Sequence, residues 1–546
     1  MKKFLALMLV VILLITVLVG CANKNEETSE DFTLAYGGVS TLSPTLTQES
    51  NSHNILYLTQ VQLIRYYGGA IQNDAAESYD MNEDATVFTF YLRDGLKWSD
   101  DTPLSAQDFV YGLYCLLAPE MGSPRANSWY AIKNAKSFSE GQISDWNEVG
   151  VKALDEKTVE FTLEYSLNSF DDTIACKHIY PIKREFVDNI GIDKLGSSPE
   201  TSLYSGAYIV KDWVPNNSLE LVKNSLYWDS NNSFPTKNIH FIEVTDANTQ
   251  IAMFESGEVD AVAGVESQYY DKYEGNVKII LGGEFEFLWF NQKGTSEETA
   301  KLLGNLNFRQ ALNYSINREA VALAASKANE AANYIIDPNF VGPGGGKFID
   351  EYPIDSVPVS GDVNKAKEYL NNALEELGYT DVSMLPELKI VTFPYDRFKL
   401  ECETIIDHWK QNLGLTCFKL TQYEVGTAIE TFYSLDYNIF CISWETDVRP
   451  TDIMQALMTG GEANAGIWSN SEFDALVAQA INEPDSIKQA QMIQQAQQIF
   501  TDDAGIVPLY VCGSIQAVKP YVEGYQVGVV DGFEFNNLIV RPDSKS

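Results

Sequence analysis

Helix-type and strand-type patterns alternate over the second half of the chain, and this alternation restricts the possible folds more than any other feature of the sequence. The segments are the helical 365–377, 398–413 and 487–500 and the β-rich 388–392, 415–420 and 437–443. Such a pattern is typical of α/β proteins, in which helices cover the faces of a sheet. The chain has 546 residues, which at roughly 100–200 residues per domain allows several domains. We therefore predict a multidomain α/β protein.

The first half of the chain contains shorter elements. Apolar, β-rich runs predict strands at 32–36 and 87–92. Residues 51–66 are interpreted as a helix, and 258–262 as a strand that follows another helix. These segments extend the mixed helix and strand pattern to most of the sequence.

The N-terminus has the features of an export signal. Lys2 and Lys3 precede an apolar run over 4–20, and Cys21 follows directly. This end of the run resembles the lipobox of bacterial lipoproteins, so we expect cleavage before Cys21 and lipid on that residue. The polar stretch 22–31 is predicted to be a flexible tether. The alternative is a plain transmembrane anchor, because the run is nearly long enough to span a bilayer.

The charge of the chain excludes several kinds of partner. Lys and Arg number 38 against 76 Asp and Glu, which gives a formal net charge of −38. So acidic a surface repels phosphate backbones and anionic lipid, and we expect no nucleic-acid partner. The chain has four widely separated histidines, and these are His53, His178, His240 and His408. We predict neither a metal site nor a cofactor.

No motif supports an enzyme. The glycine-rich segment 342–347 resembles a phosphate-binding loop, but Val341 stands where a Walker loop needs glycine and Phe348 follows Lys347. A structural turn is the better interpretation. The nucleophile-elbow pattern G-x-S-x-G is absent from the sequence. The motifs therefore give no positive support for an enzyme, and we expect that the protein does not catalyse a reaction.

Six cysteines remain besides Cys21, and they are scattered through the chain without a dense or C-x-x-C spacing. These are Cys115, Cys176, Cys402, Cys417, Cys441 and Cys512. Most lie among apolar residues, so we expect free buried thiols in preference to disulfides.

Several segments, in a fixed order, resemble one family. The segment 90–111 (FYLRDGLKWSDDTPLSAQDFVY) is similar to a signature of the family 5 bacterial extracellular solute-binding proteins, the peptide-binding subunits of ABC importers. Further segments that match the family are 204–208, 213–215, 224–229, 256–260, 307–319, 506–510 and 518–522. The segment 150–155 suggests the oligopeptide-binding branch.

The resemblance implies a two-lobed clamp of the periplasmic-binding-protein type II, with three domains, mixed sheets and a hinge. Lobe closure over an extended peptide is the expected motion. The boundaries it implies are 1–20 for the signal peptide, 21–31 for the lipidated tether, 32–75, 196–284 and 506–546 for domain I, 76–195 for domain II and 285–505 for domain III.

The resemblance also implies a ligand site. Asp447 matches the family carboxylate that pairs with the α-ammonium group of the ligand, and Trp444 matches an aromatic residue of the cleft. Ser443, Glu445 and Thr446 are the further ligand-binding candidates, and the backbone of 443–445 would pair with the peptide as an added strand.

Three positions depart from the oligopeptide-binding branch. Basic side chains there help to hold the carboxyl terminus of the ligand, whereas this chain has Phe398, Phe432 and Cys441 at positions that could supply them. The way in which the ligand terminus is held stays open.

The expected function is that of a monomeric, extracytoplasmic peptide receptor, anchored to the cell membrane by lipid on Cys21. It would deliver oligopeptides to permease and ATPase subunits that are separate chains. The alternatives are the same fold with another ligand (a nickel chelate, an oligosaccharide or a signalling peptide) and, from another class, a surface hydrolase or chaperone.

Overall fold

Two long strands cross from one half of the molecule to the other and organise its fold. The computed structural model describes residues 30–47, 50–67, 70–167, 169–265, 269–273, 277–445, 449–461, 463–464, 467–528 and 532–541. The predicted signal segment and Cys21 lie outside these residues, and so do Thr446 and Asp447. None of the helices in the described part of the chain is both long enough and apolar enough to cross a membrane.

The strands are short except for the two that cross. They are β1 (Asp31–Tyr36), β2 (Ile64–Tyr67), β3 (Ala70–Asn73), β4 (Ala76–Met81), β5 (Val87–Leu92), β6 (Val151–Ala153), β7 (Thr158–Thr162), β8 (Tyr208–Val214), β9 (Ser218–Lys223), β10 (Asn238–Glu243), β11 (Ala261–Ala263), β12 (Val277–Phe290), β13 (Glu330–Ala331), β14 (Leu388–Thr392), β15 (Phe418–Gln422), β16 (Ile439–Glu445), β17 (Ile506–Val518), β18 (Val522–Glu523) and β19 (Ile539–Val540).

The longer α-helices lie mostly in the second half of the chain. The α-helices are α1 (Ser50–Thr59), α2 (Ala106–Leu117), α3 (Ala135–Ser139), α4 (Phe170–Lys177), α5 (Arg184–Ile190), α6 (Ala247–Ser256), α7 (Glu297–Gly304), α8 (Leu306–Tyr314), α9 (Arg318–Ala325), α10 (Phe348–Glu351), α11 (Val363–Leu377), α12 (Asp396–Leu413), α13 (Val425–Ser434), α14 (Pro450–Leu457), α15 (Ser471–Ile481) and α16 (Ser486–Asp503).

The largest sheet is mixed and continuous through both halves. Over the described residues its order is β15-β14-β16-β12-β17-β11-β1-β10-β9-β8, with β13 also paired to β17. Strands β1, β10 and β11 pair in parallel, as do β14, β15 and β16, whereas β12 and β17 are antiparallel to each other. A separate antiparallel sheet has the order β4-β5-β7-β6.

The apolar core is divided between two lobes. One core joins β1, β5, α2, β9 and β10 to the C-terminal residues 518–540. In the other lobe β12 is buried on both faces: Phe285, Phe287 and Trp289 enter one core, and Leu288 and Phe290 enter another. Burial of each such side chain stabilises the lobe by about 1.5–3 kcal/mol. The α/β fold with two lobes is thus confirmed, while the domain boundaries stay predictions.

Two element predictions were wrong in detail. The helix predicted over 51–66 ends at Thr59, and residues 64–67 form β2. The strand predicted over 258–262 begins at Ala261, because the backbone N–H groups of Glu258 and Val259 donate to the Met253 carbonyl at the end of α6.

The glycine-rich segment 342–347 is a turn, as the sequence indicated. Its ends meet in a β-bridge between Val341 and Lys347. The Glu351 carboxylate accepts the backbone N–H groups of Gly344 (2.8 Å) and Gly346 (2.6 Å). The backbone N–H groups that could bind a phosphate therefore already donate to the Glu351 carboxylate.

Candidate functional site

The two crossing strands are irregular where the lobes meet. The register of β12 against β17 shifts between Leu281 and Phe285, and Gly282 and Gly283 have φ of 114° and 78°. These values favour glycine, and a Cβ atom at Gly282 would overlap the side chains of Asp337 and Asn339. The Gly283 N–H donates to Asp337 Oδ2 at 2.6 Å. This bulge is the structural candidate for the hinge.

The strand that carries Ser443 and Trp444 has an edge that β14 does not cover. β12 pairs with the whole of β16, from Ile439 to Glu445. β14 pairs only with Ile439 and Phe440, and within the described residues no other strand pairs with β16. The Cys441 carbonyl on this side accepts the Thr392 hydroxyl at 2.9 Å, so the outer backbone groups of residues 443–445 are those to which an extended chain can add as a strand.

The side chains at the end of β16 leave the core progressively. Cys441 and Ile442 are buried, Ser443 and Trp444 are partly exposed, and Glu445 is exposed. The centroid of the Trp444 ring lies 6.3 Å from that of the buried Trp289 ring, so one side of the Trp444 ring packs against the core. The structure thus brings Ser443, Trp444 and Glu445 together on one strand end, and the roles of Thr446 and Asp447 stay predictions.

The opposite lobe presents tyrosine and carboxylate groups. Burial, together with the nearby Cys176, Asp337 and Glu534, raises the pKa of Tyr66 in β2 to about 12. Tyr79 donates its hydroxyl to Asp171 Oδ2 at 2.9 Å. The Tyr66 hydroxyl is therefore a hydrogen-bond donor in the neutral pH range.

One arginine joins the two lobes directly. Arg449, which begins the segment that leads into α14, donates through Nη2 to Asp171 Oδ1 at 2.7 Å. Its Nε also pairs with Asp172. Asp171 and Asp172 lie in the first turn of α4, where a helix dipole favours carboxylates. Sequence reasoning missed this contact, because 278 residues separate Arg449 from Asp171.

The three departures from the oligopeptide-binding pattern are core residues. Phe398, Phe432 and Cys441 are 2%, 1% and 0% exposed. Phe432 packs edge-on against Trp289 at 5.4 Å between ring centroids, and Phe398 packs against Phe393 at 5.3 Å. In this arrangement none of the three reaches the space between the lobes.

A cavity of about 440 Å³ lies beside the bulge of β12. Its lining includes Glu284, Asn329, Arg397 and Gln516, which come from both sides of the hinge. The Arg397 guanidinium lies 4.0 Å from the Glu284 carboxylate and 4.1 Å from the ring centroid of Phe398. The sequence did not single out Arg397, because it lies in none of the segments that match the family.

Two lobes joined by a shared pair of strands are an architecture that this chain shares with solved periplasmic binding proteins. The chain belongs to the family 5 bacterial extracellular solute-binding proteins, since the model of the family's middle region matches residues 70–466.

Individual relatives agree with this assignment. The chain is 29% identical over 488 residues to the oligopeptide-binding protein OppA of Bacillus subtilis, covering 86% of this chain and 85% of that protein. It is 28% identical over 493 residues to a probable deoxycholate-binding periplasmic protein of Escherichia coli, YgiS, covering 89% and 88%. The unliganded open form of the periplasmic murein tripeptide binding protein MppA superposes with a TM-score of 0.81 at 22% identity, covering 94% of this chain and 98% of that one. These relatives are named as binding proteins, not as enzymes.

Proposed function

We propose that this chain is a lipid-anchored, extracytoplasmic receptor that captures oligopeptides by closure of its lobes and delivers them to an ABC import permease. Lipid on Cys21 would hold it at the cell membrane as a monomer, and the permease and ATPase subunits would be separate chains. It would bind the peptide without changing it. The single observation that carries the proposal is the uncovered edge of β16 at the junction of the lobes.

The edge favours a peptide over other solutes because it offers backbone groups. An extended peptide that adds to 443–445 makes main-chain hydrogen bonds that do not depend on its side chains. Asp447 follows two residues after the described strand ends, and we propose that its carboxylate pairs with the α-ammonium group of the ligand. Such a charge-assisted hydrogen bond contributes about 1.5–3 kcal/mol.

Closure is supported by the way the lobes are connected. β12 and β17 run through both halves of the large sheet, and the bulge at Gly282 and Gly283 interrupts their pairing. A hinge of this kind absorbs a change in backbone angles at a few residues while both cores keep their packing. We retain the domain boundaries 32–75, 76–195, 196–284, 285–505 and 506–546 as part of this proposal.

Native mass spectrometry of the purified chain after incubation with a mixed peptide library tests the proposal. We expect peptides of unchanged mass to be retained by the folded protein. Cleaved peptides would instead indicate a hydrolase. In a parallel incubation with deoxycholate, retention of deoxycholate and not of peptides would indicate that the ligand class is that named for the Escherichia coli relative.

The role of Asp447 has its own test by calorimetry. We expect Asp447→Asn to weaken binding of a free-amine peptide by about ten- to hundredfold, since the charge-assisted bond is lost. Acetylation of the peptide N-terminus should weaken wild-type binding to a similar extent. Asp84→Asn, which removes the same charge from an exposed turn of the other lobe, should leave the affinity unchanged. An unaltered affinity in Asp447→Asn would show that the amine is held elsewhere.

A further inference from the structure

Two carboxylates and a thiol meet in the interior of the lobe that carries β16. Glu286 of β12, Glu401 of α12 and Cys441 of β16 are each 0% exposed. Cys441 Sγ lies 3.5 Å from Glu286 Oε1 and 3.4 Å from Glu401 Oε1. One ligand atom from each residue lies within 4.8 Å of the other two. This convergence is close enough for all three to bind one ion.

The cluster is not fully satisfied by its protein neighbours. Glu286 Oε2 is buried and has no hydrogen-bond partner. Burying unpaired ionised groups costs several kcal/mol each. The two carboxylates therefore need either protons or a cation in the folded chain.

Neighbouring side chains form hydrogen bonds with the cluster, as they do around the ligands of bound metal ions. The Tyr510 hydroxyl donates to Glu401 Oε2 and leaves Oε1 directed toward Cys441. Outer hydrogen bonds of this kind orient ligating carboxylates. The Cys402 thiol hydrogen-bonds with Cys441 and adds a second sulfur beside the cluster.

We propose that Glu286, Glu401 and Cys441 form a binding site for a divalent cation of zinc type. Thiolate and carboxylate are both ligands that Zn²⁺ accepts, and three protein ligands leave a position for a further donor. A divalent ion would neutralise two of the three negative charges of one thiolate and two carboxylates, and the nearby Arg397 guanidinium, which also pairs with Glu284, adds positive charge. The hinge cavity lies close to the cluster along the sequence, since its lining residues Glu284 and Arg397 precede Glu286 on β12 and Glu401 on α12 by two and four residues.

The site would have a structural role that is independent of the peptide. Glu286 and Cys441 lie on the adjacent strands β12 and β16, and Glu401 lies on the helix α12. An ion bound to all three would tie the helix to the strands directly beneath the uncovered edge. Histidine spacing in the sequence indicated no metal site, whereas here the ligands are acidic and sulfur groups that 40 and 155 residues separate from Cys441.

Metal content of the full chain tests the proposal. The protein is stripped with a chelator, dialysed against Zn²⁺, passed through gel filtration and analysed for bound zinc. We expect one zinc per wild-type chain and a rise in Tm on addition of Zn²⁺. Glu286→Gln and Cys441→Ser should retain at most about a tenth of that zinc and lose the Tm response. Cys417→Ser, which changes a cysteine of the same lobe outside the cluster, should behave as wild type.

Cobalt substitution gives a second, spectroscopic measurement of metal binding in case a variant loses stability. A thiolate-to-cobalt charge-transfer band should appear in the wild type and in Cys417→Ser and be absent in Cys441→Ser. Circular dichroism identifies variants that fail to fold. Glu286→Gln removes a buried carboxylate, so the apo form of this variant should be at least as stable as the wild type. Wild-type protein with far less than one zinc per chain, or Glu286→Gln with undiminished zinc, would overturn the proposal in favour of a proton shared between the carboxylates.

Discussion

At the scale of single residues, the Asp74 carboxylate compensates the buried charge of Arg65. Asp74 is 1% exposed, and its carboxylate accepts Arg65 Nε at 3.0 Å, the Gln62 N–H at 2.8 Å and Trp228 Nε1 at 2.9 Å. We expect Asp74→Ala to lower the free energy of unfolding by about 3–5 kcal/mol, because Arg65 would keep a buried charge without its partner. Urea denaturation measures this effect. Asp84→Ala, in an exposed turn, should change it by less than about 0.5 kcal/mol.

At the scale of elements, the helix α12 carries a histidine whose burial makes the folded state less stable at acidic pH. His408 is half-buried on this helix, and burial lowers its pKa below 6.5, while Asp407 acts in the opposite direction. Because the unfolded chain takes up the proton first, the folded state loses stability as the pH falls from about 6.5 through the lower folded pKa. We expect urea unfolding between pH 7.5 and 5.5 to show a larger loss for the wild type than for His408→Gln. An equal loss in both proteins would mean that His408 titrates normally.

At the scale of the whole molecule, the contacts of Arg449 with Asp171 and Asp172 link the lobes. We expect Arg449→Gln to change the ratio of lobe arrangements in the unliganded protein by about two- to fivefold, since a partly exposed ion pair contributes up to about 1 kcal/mol. The radius of gyration from small-angle X-ray scattering should rise without peptide and match the wild type with peptide bound. Arg184→Gln removes a pair that lies within one helix (with Asp188) and should leave both values unchanged. A radius of gyration that Arg449→Gln leaves unchanged would assign the lobe arrangement to the hinge strands alone.

Local patterns predicted the elements well where local interactions decide them. The helix predicted at 398–413 spans 396–413, and the strand at 32–36 spans 31–36. The helix predicted at 51–66 stops at Thr59, because the Thr59 carbonyl accepts the backbone N–H groups of Ser205 and Gly206. These donors lie far along the sequence, and a periodicity argument does not contain them.

The sequence by itself determined the α/β class and the family, because periodicity and ordered motifs are local properties. It also predicted a ligand site at 443–447 through the family resemblance. Only the tertiary structure decided which groups meet. It placed Phe398, Phe432 and Cys441 inside a core, joined Arg449 to α4, and gathered Glu286, Glu401 and Cys441 around one point. The physical reason is that burial and long-range pairing depend on how distant segments pack together. The free energy of that packing cannot be read from any one segment of the sequence.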